Sequence, residues 1–428
     1  YDLHSCSNGS GQPDSAPGST TTGKGTAVHA IADTERLVAD GIITADQART
    51  IEMRARQAMV YLAINSILCF GIIAATGGLI VYLATPLSVA LTGFLFLAIG
   101  LAVLAGGSEM YRVFGNAAAR LGAGMLLGGA SLELMDKYES IAGPVMVIGG
   151  LFIGLAAAFV LQSGNRAPRF LTGAIRLMGL AKHLAGLVFL VQQHGVSGWP
   201  ISLFYLYAAA AIAAAGWVTD VRPVTAAAIV PFAQALDTGT FYFHAAYVFY
   251  SPEPTLSIIQ MAILLAACVW VAARWSERTA RHARVLAVMA FIVANLCALV
   301  GSLWGDYLGE TLWGPGYSAR GTDMSWQDFR AARDAFRDTT LFISANVFSV
   351  LWAVALAAII GWAAHAAQRG LFNTALTFAG IHAYTQMFES FGDQPLAFVI
   401  GGLAAIPLAW GMWRLDQWIV QRRGEGEV

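Results

Sequence analysis

The residues that could do chemistry in this sequence are ionisable side chains set inside apolar stretches. Phe170 to Gln192 is long enough and apolar enough to cross a bilayer, yet it carries Arg176, Lys182 and His183. A helix rises about 1.5 Å per residue, which puts Lys182 roughly 18 Å from the start of the stretch. That is past the middle of a hydrocarbon layer about 30 Å thick. A charge held there is costly, so it faces a bundle interior or a wet cavity, where it can bind an ion or relay a proton. Gln234, Asp237, Phe241 and His244 recur at i, i+3, i+7 and i+10 and would share one helix face. Asp237 is then the natural partner for Lys182, since pairing lowers the cost of burying both. His382, Gln386 and Glu389 repeat at i, i+4 and i+7, a polar stripe that lines a path or pairs across helices. Each group also has a plainer reading. Arg176 is near enough to the surface to snorkel. Lys182 and His183 can bond neighbouring carbonyls, Asp237 can lie solvated at a helix end, and His382 can be a satisfied interior histidine.

Composition supplies the frame for these groups. The chain is 57% hydrophobic and 12% charged, where ordinary soluble domains carry about 25% charged residues. Mean hydropathy is +0.61. This is the composition of a polytopic membrane protein with the lipid bilayer as its first partner. The formal net charge is −1. No Arg/Lys stripe interleaved with aromatics is present, so no nucleic-acid partner is implied. Cys6, Cys69, Cys268 and Cys297 form no CxxC and no zinc-spaced set with histidine, so no metal is implied. The phosphate loop, dinucleotide, zinc-protease and serine-hydrolase motifs are missing as well, so no cofactor is implied either.

The elements that must position the candidate groups follow in order. Residues 1–30 form a Ser/Gly/Thr/Pro tail whose composition predicts disorder. Residues 31–57 read as a short cytosolic helical hairpin. Its first helix stops at Gly41, and Thr44 with Gln47 forms a capping box for the second. Leu37, Gly41, Ile42, Ile43, Thr44, Gln47 and Ala48, followed by a short basic helix and many spans, resemble a bacterial predicted-membrane-protein family called domain of unknown function 2157. Phe388-Glu389 near a span end, and a Gly-rich last span closed by arginines, fit the same group. The resemblance implies a multi-pass inner-membrane protein and carries over no catalytic residue.

Residues 58–418 read as an all-α transmembrane bundle of about twelve spans. The spans are 59–84, 87–107, 118–135, 143–162, 170–192, 200–218, 223–244, 255–274, 284–304, 340–364, 371–390 and 395–413. Pro231 removes a backbone donor within the seventh and can open it. Arginines at 112, 120, 166, 169, 222, 274, 278, 281, 284 and 369 fall in alternate loops, which orients both termini inside, with 419–428 as a cytosolic tail. The acids Glu133, Asp136, Glu139, Asp306, Glu310, Glu389 and Asp393 then lie outside. Residues 305–338 form a long periplasmic loop. Its second half predicts an amphipathic helix capped by Ser325 and Asp328, lying on the leaflet or lidding the bundle. Gly124 with Gly128 and Gly150 with Gly154 suit close helix packing, and Asn295 and Asn346 suit interhelical hydrogen bonds.

Three functions fit these features. The favoured one is a permease of a small solute, with Lys182, His183, Asp237, His382, Gln386 and Glu389 as binding or proton-relay groups. The second is an integral-membrane enzyme acting on lipid-linked envelope glycan substrates, with Arg320, Arg330, Arg333 and Arg337 as forks on a diphosphate. The third is a non-catalytic scaffold or accessory subunit that recruits a protein partner through residues 31–57.

Overall fold

The computed structural model of the chain describes residues 34–83, 85–106, 111–162, 169–196, 198–243, 246–315, 325–366 and 368–391, with scattered positions between 396 and 417. The chain is all-α apart from two small two-stranded antiparallel sheets among the described residues. Helix α1 (Thr34–Ala39) ends at Gly41, whose φ of 69° needs a glycine. The capping box then forms as expected: Thr44 N–H donates to Gln47 Oε1 at 2.9 Å, and Gln47 N–H to Thr44 Oγ1 at 3.3 Å. Helix α2 (Ala45–Leu83) runs without a break from this hairpin into the first apolar stretch.

Helices α3 (Pro86–Gly106) and α4 (Arg112–Lys137) form one close pair, and α5 (Glu139–Gln162) and α6 (Arg169–Gln193) another. Small residues let the backbones meet. A Cβ on Gly122 would lie 2.2 Å from Leu97 N, and one on Gly150 2.4 Å from His183 N. Gly154 meets Gly179 in the same manner. Gly124 and Gly128 do not take the packing role their spacing suggested. A Cβ on Gly128 would meet nothing within 4 Å, and both glycines line an open groove.

Helix α7 (Trp199–Thr219) leads to the largest departure from the expected spans. Residues 223–244 were read as one helix. The structure instead has α8 (Arg222–Ala227), α9 (Ile229–Gln234), a turn at 235–237, and strand β1 (Gly239–Phe243) paired with β2 (Ala246–Tyr250). Pro231 has no N–H to give the Ala227 carbonyl, so the helix breaks at Ala228. Asp237 (φ 58°) takes the left-handed capping position, and Thr238 N–H returns to the Ala233 carbonyl at 3.3 Å. Gln234 and Asp237 therefore share no helical face with Phe241, and His244 lies outside the described residues.

Helices α10 (Pro254–Arg274) and α11 (Glu277–Trp304) pair antiparallel, and the broken segment lies along them. Ile229 and Ala233 pack with Met261, Ala290, Val293 and Cys297. Strand β3 (Asp306–Tyr307) pairs with β4 (Phe342–Ile343), and between them comes α12 (Trp326–Thr339). Ser325 caps α12 by accepting Asp328 N–H at 3.2 Å. Helices α13 (Ala345–His365) and α14 (Arg369–Phe391) follow.

Among the described residues, seven helices are long and apolar enough to cross a membrane: α3, α5, α6, α7, α10, α11 and α13. Their outer faces carry bare apolar side chains, with Phe94 61%, Phe152 72% and Ile263 66% exposed, as lipid contact requires. The chain is thus built as a multi-pass membrane protein. The expected count of twelve is not reproduced. Helices α2, α4 and α14 occupy three further expected crossings without the same combination of length and apolarity, and 395–413 is described only in part. Helix α11 is the central element: 44% of its most apolar window is buried, against 22% or less for the other six.

Overfilling a backbone contact costs about 1–3 kcal/mol. Gly122→Leu should therefore lower the melting temperature of the purified protein. Gly128→Ala, which meets open space, should leave it unchanged or raise it.

Candidate functional site

The polar groups gather where α10 begins, α11 ends and α13 begins. Glu253 sits at the N-cap of α10 and is 5% exposed. Its Oε1 accepts Gly309 N–H at 2.6 Å and its Oε2 accepts Thr311 N–H at 3.0 Å. Gly309 presents that N–H only because its φ is 84°. Asp306 returns the grip from the far side of α11: its Oδ2 accepts Thr255 N–H at 2.8 Å, at the positive end of α10. Two buried carboxylates thus clasp the start of α10 to the loop after α11. Thr238, Ser251 and Ser257 add a buried hydroxyl cluster that ties the base of the β1–β2 hairpin to α10.

Helix α12 closes over this clasp. Phe329 is buried. Arg337 donates to Glu310 Oε2 through Nε at 3.0 Å and through a terminal nitrogen at 2.9 Å, and its guanidinium stacks 4.5 Å from the Tyr307 ring centre. Arg333 Nε lies 2.8 Å from Glu310 Oε1. A cavity of about 680 Å³ remains beneath, lined by Asp237, Tyr250, Trp304, Asp306, Glu310 and Phe329 among others. Its size suits a small molecule. Of the four arginines expected in this loop, Arg333 and Arg337 reach the cavity, Arg330 is exposed on α12, and Arg320 lies outside the described residues. Both that reach it pair with Glu310: Arg337 is tied to it by hydrogen bonds, and Arg333 by charge alone.

The groups expected deep in the membrane are placed elsewhere. Lys182 does not pair with Asp237. Its Nζ donates to Ser131 Oγ at 2.7 Å, in a groove lined by Gly124, Gly128 and Met178, while Asp237 lines the cavity under α12. His183 is saturated: Nδ1–H donates to the Val147 carbonyl at 2.9 Å, and Nε2 meets Tyr207 OH at 2.7 Å. That is a structural bond joining α5, α6 and α7. His382 lies edge-on to Trp352 at 4.6 Å, and Trp352 Nε1 donates to Asn295 Oδ1 at 2.9 Å. Asn295 therefore bridges α11 and α13 as expected, whereas Asn346 is exposed. His382 Nδ1 and Gln386 Nε2 have no hydrogen-bond partner among the described residues, and Glu389 is exposed.

A second polar clasp holds the opposite end of α11. His282 Nε2–H donates to Asp220 Oδ1 at 3.0 Å, and Thr225 O–H reaches His282 Nδ1 at 2.6 Å. Arg281 lies 3.6 Å from Asp220 Oδ2. The order Thr–His–Asp is that of a nucleophile, base and orienting acid. Thr225 is only 3% exposed, and its Oγ1 is sealed against Gly216, so no substrate reaches it. The set is a fastening between α7, α8 and α11.

His282 and Glu253 were not singled out in the sequence. The signal for Glu253 was an acid just before Pro254 at the start of an apolar helix, a favoured capping place. The signal for His282 was a histidine among the arginines that open α11. No family model, curated protein or solved structure matches the chain.

Two consequences can be measured. Removing one partner of a fully buried ion pair costs about 3–5 kcal/mol. The Arg333 and Arg337 side chains are 34% and 27% exposed, so Glu310→Gln should destabilise by less than that, seen as a lowered melting temperature. The two clasps should also respond to pH with opposite sign. Burial, then the nearby Glu253 and Glu310, push the Asp306 carboxyl up against the lowering effect of Thr255. Its stabilisation is full below the ordinary carboxylate pKa and is lost as pH rises through the raised one. The hydrogen bond from His282, followed by Arg281, holds Asp220 down despite some desolvation. Its stabilisation is full above the ordinary value and is lost as pH falls through the lowered one. Relative to wild type, Asp306→Asn should gain melting temperature as the pH rises, and Asp220→Asn should lose it.

Proposed function

We infer that the protein is a permease of a small solute, and that the solute is held in the cavity beneath α12. The observation that carries this reading is the cavity itself: it is sized for a small molecule, walled by aromatic rings, and closed by a helix fastened through Glu310. Beside it ends the broken segment α8–α9, and interrupted helices near a polar cavity are the usual form of solute sites in membrane carriers. Arg222, Arg274, Arg278, Arg281, Arg284 and Arg369 lie at the ends of α8, α10, α11 and α14 away from the cavity. That distribution supports a topology with the arginines in the cytosol and the cavity facing outward, as in a bacterial inner membrane. The reading moves the solute from Lys182 to the cavity. It also weighs against the lipid-diphosphate enzyme, because the two of its arginines that reach the cavity, Arg333 and Arg337, pair with Glu310. The scaffold reading keeps one favourable feature, the apolar Ile42, Ile51 and Met53 exposed on the α1–α2 hairpin.

Proteoliposomes containing the protein and a panel of labelled amines, amino acids, sugars and carboxylates test the proposal. At least one solute class should enter faster than in empty vesicles. Phe329→Ala, which unseats α12, should change that rate several-fold, and Ile259→Ala on the lipid-facing side of α10 should not. Equal fluxes in protein-containing and empty vesicles, or fluxes indifferent to Phe329, would overturn it.

A further inference from the structure

The cavity wall contains a buried carboxylate oxygen with nothing to accept among the described residues. Asp306 is 2% exposed. Its Oδ2 takes the Thr255 N–H, but Oδ1 has no hydrogen-bond partner among the described residues. A buried oxygen left in that state costs free energy that a ligand donor would recover. Tyr250, Trp304, Tyr307, Phe329 and Phe342 line the same cavity. Aromatic faces attract cations, by about 0.5–2 kcal/mol for each well-placed ring.

The charges lining the cavity are the carboxylates of Asp237, Asp306 and Glu310 and the guanidiniums of Arg333 and Arg337. Arg337 hydrogen-bonds Glu310 and lies on the Tyr307 ring, whereas Arg333 is held to Glu310 as an ion pair at 2.8 Å, its Nε without a hydrogen-bond partner among the described residues. Glu253 adds a further negative charge behind the wall, and it acts on Asp306 together with Glu310 to raise the carboxyl. The field at Asp306 is therefore negative in spite of the arginines. An anionic solute would meet Asp237, Asp306 and Glu310 on the same wall, against one donor, Arg333 Nε, that lacks a hydrogen bond among the described residues. A divalent metal would find no suitable donor set, since no cluster of three His, Cys, Asp or Glu ligands occurs among the described residues.

We propose that the cavity binds an organic ammonium ion, with its N–H groups donating to Asp306 Oδ1 and its carbon body resting on the aromatic wall. This rests on the reading of the cavity as the solute site. It goes further in assigning the chemical class of the solute and the residue that selects it.

The test uses the full chain in lipid nanodiscs and three probes of one shape: 2-phenylethylamine, 2-phenylethanol and phenylacetate. Binding is followed by calorimetry. The amine should bind at least about 10-fold more tightly than the alcohol, the equivalent of about 1.4 kcal/mol, and phenylacetate should be weakest. Asp306→Asn keeps a carbonyl oxygen for Thr255 N–H while removing the charge. It should bring amine affinity down to that of the alcohol and leave the alcohol unchanged. Tyr250→Ala, which leaves the Glu253–Asp306 clasp intact, should weaken amine and alcohol together. Should the Asn variant fail to fold, the amine-to-alcohol ratio in wild type and the Tyr250→Ala result decide the matter. Equal affinity for amine and alcohol, preference for phenylacetate, no binding of any probe, or an unchanged amine affinity in a folded Asn variant would each overturn the proposal. Flux of a non-amine solute that still depends on Phe329 would overturn the ammonium class alone. Absence of all flux would remove the permease reading, whatever the probes do.

Discussion

A carboxylate sealed at the end of an apolar bundle must be answered by N–H groups or by a cation, and much of this structure follows from that demand. Glu253 is met by two backbone amides, Asp306 by one, and Glu310 by two guanidiniums. Each answer fixes a different part of the chain. The amides of Gly309 and Thr311 shape the turn after α11. The amide of Thr255 joins that turn to the start of α10. The arginines bring α12 across the top. Without these three acids the loop between α11 and α13 would have little reason to fold back onto the bundle. With them it encloses a space, and the one carboxylate oxygen left over faces a solute problem of its own.

Helix α11 gives these contacts their reach. One end is fastened by His282 to Asp220 and Thr225, the other by the Asp306 clasp. Between them its buried face is made of small or slender residues, Ala290, Val293, Cys297, Ala298 and Gly301, which let α8–α9, α10 and α13 approach closely. Polar fastenings at both ends and slim apolar packing between them are the economical arrangement for a helix with most of its length in hydrocarbon, where an unpaired polar group is costly.

What the sequence revealed was governed by range. The boxes at Thr44–Gln47 and Ser325–Asp328 were legible because each lies within one helical turn. The apolar spans were legible because hydropathy is a local sum. The Pro231 break was half legible. A missing donor can be read from one residue, but Gly239 to Phe243 is apolar enough to read as the end of span 223–244 rather than as a strand. The site was the least legible part. Lys182 meets Ser131 across 51 positions, and Glu253 meets Thr311 across 58. Charge alone made Asp237 the better partner for Lys182, and only the packing of α4 against α6 shows that Ser131 holds the place. The arginine loop was singled out on charge alone. Its meaning changed because Glu310, read only as part of an acidic rim, turned out to be its counter-ion.

The two fastenings on α11 also set a length. From His282 to Trp304 the helix runs about 33 Å at about 1.5 Å per residue. Both ends are tied to neighbouring elements, so this helix tilts to suit a thinner bilayer only together with them. Mismatch is then met by the bundle as a whole or by the lipid, at a cost of fractions of a kcal/mol for each ångström. The same bonds that hold the fold together therefore pass any adjustment of α11 to a thinner hydrocarbon layer on to α7, α8 and α10.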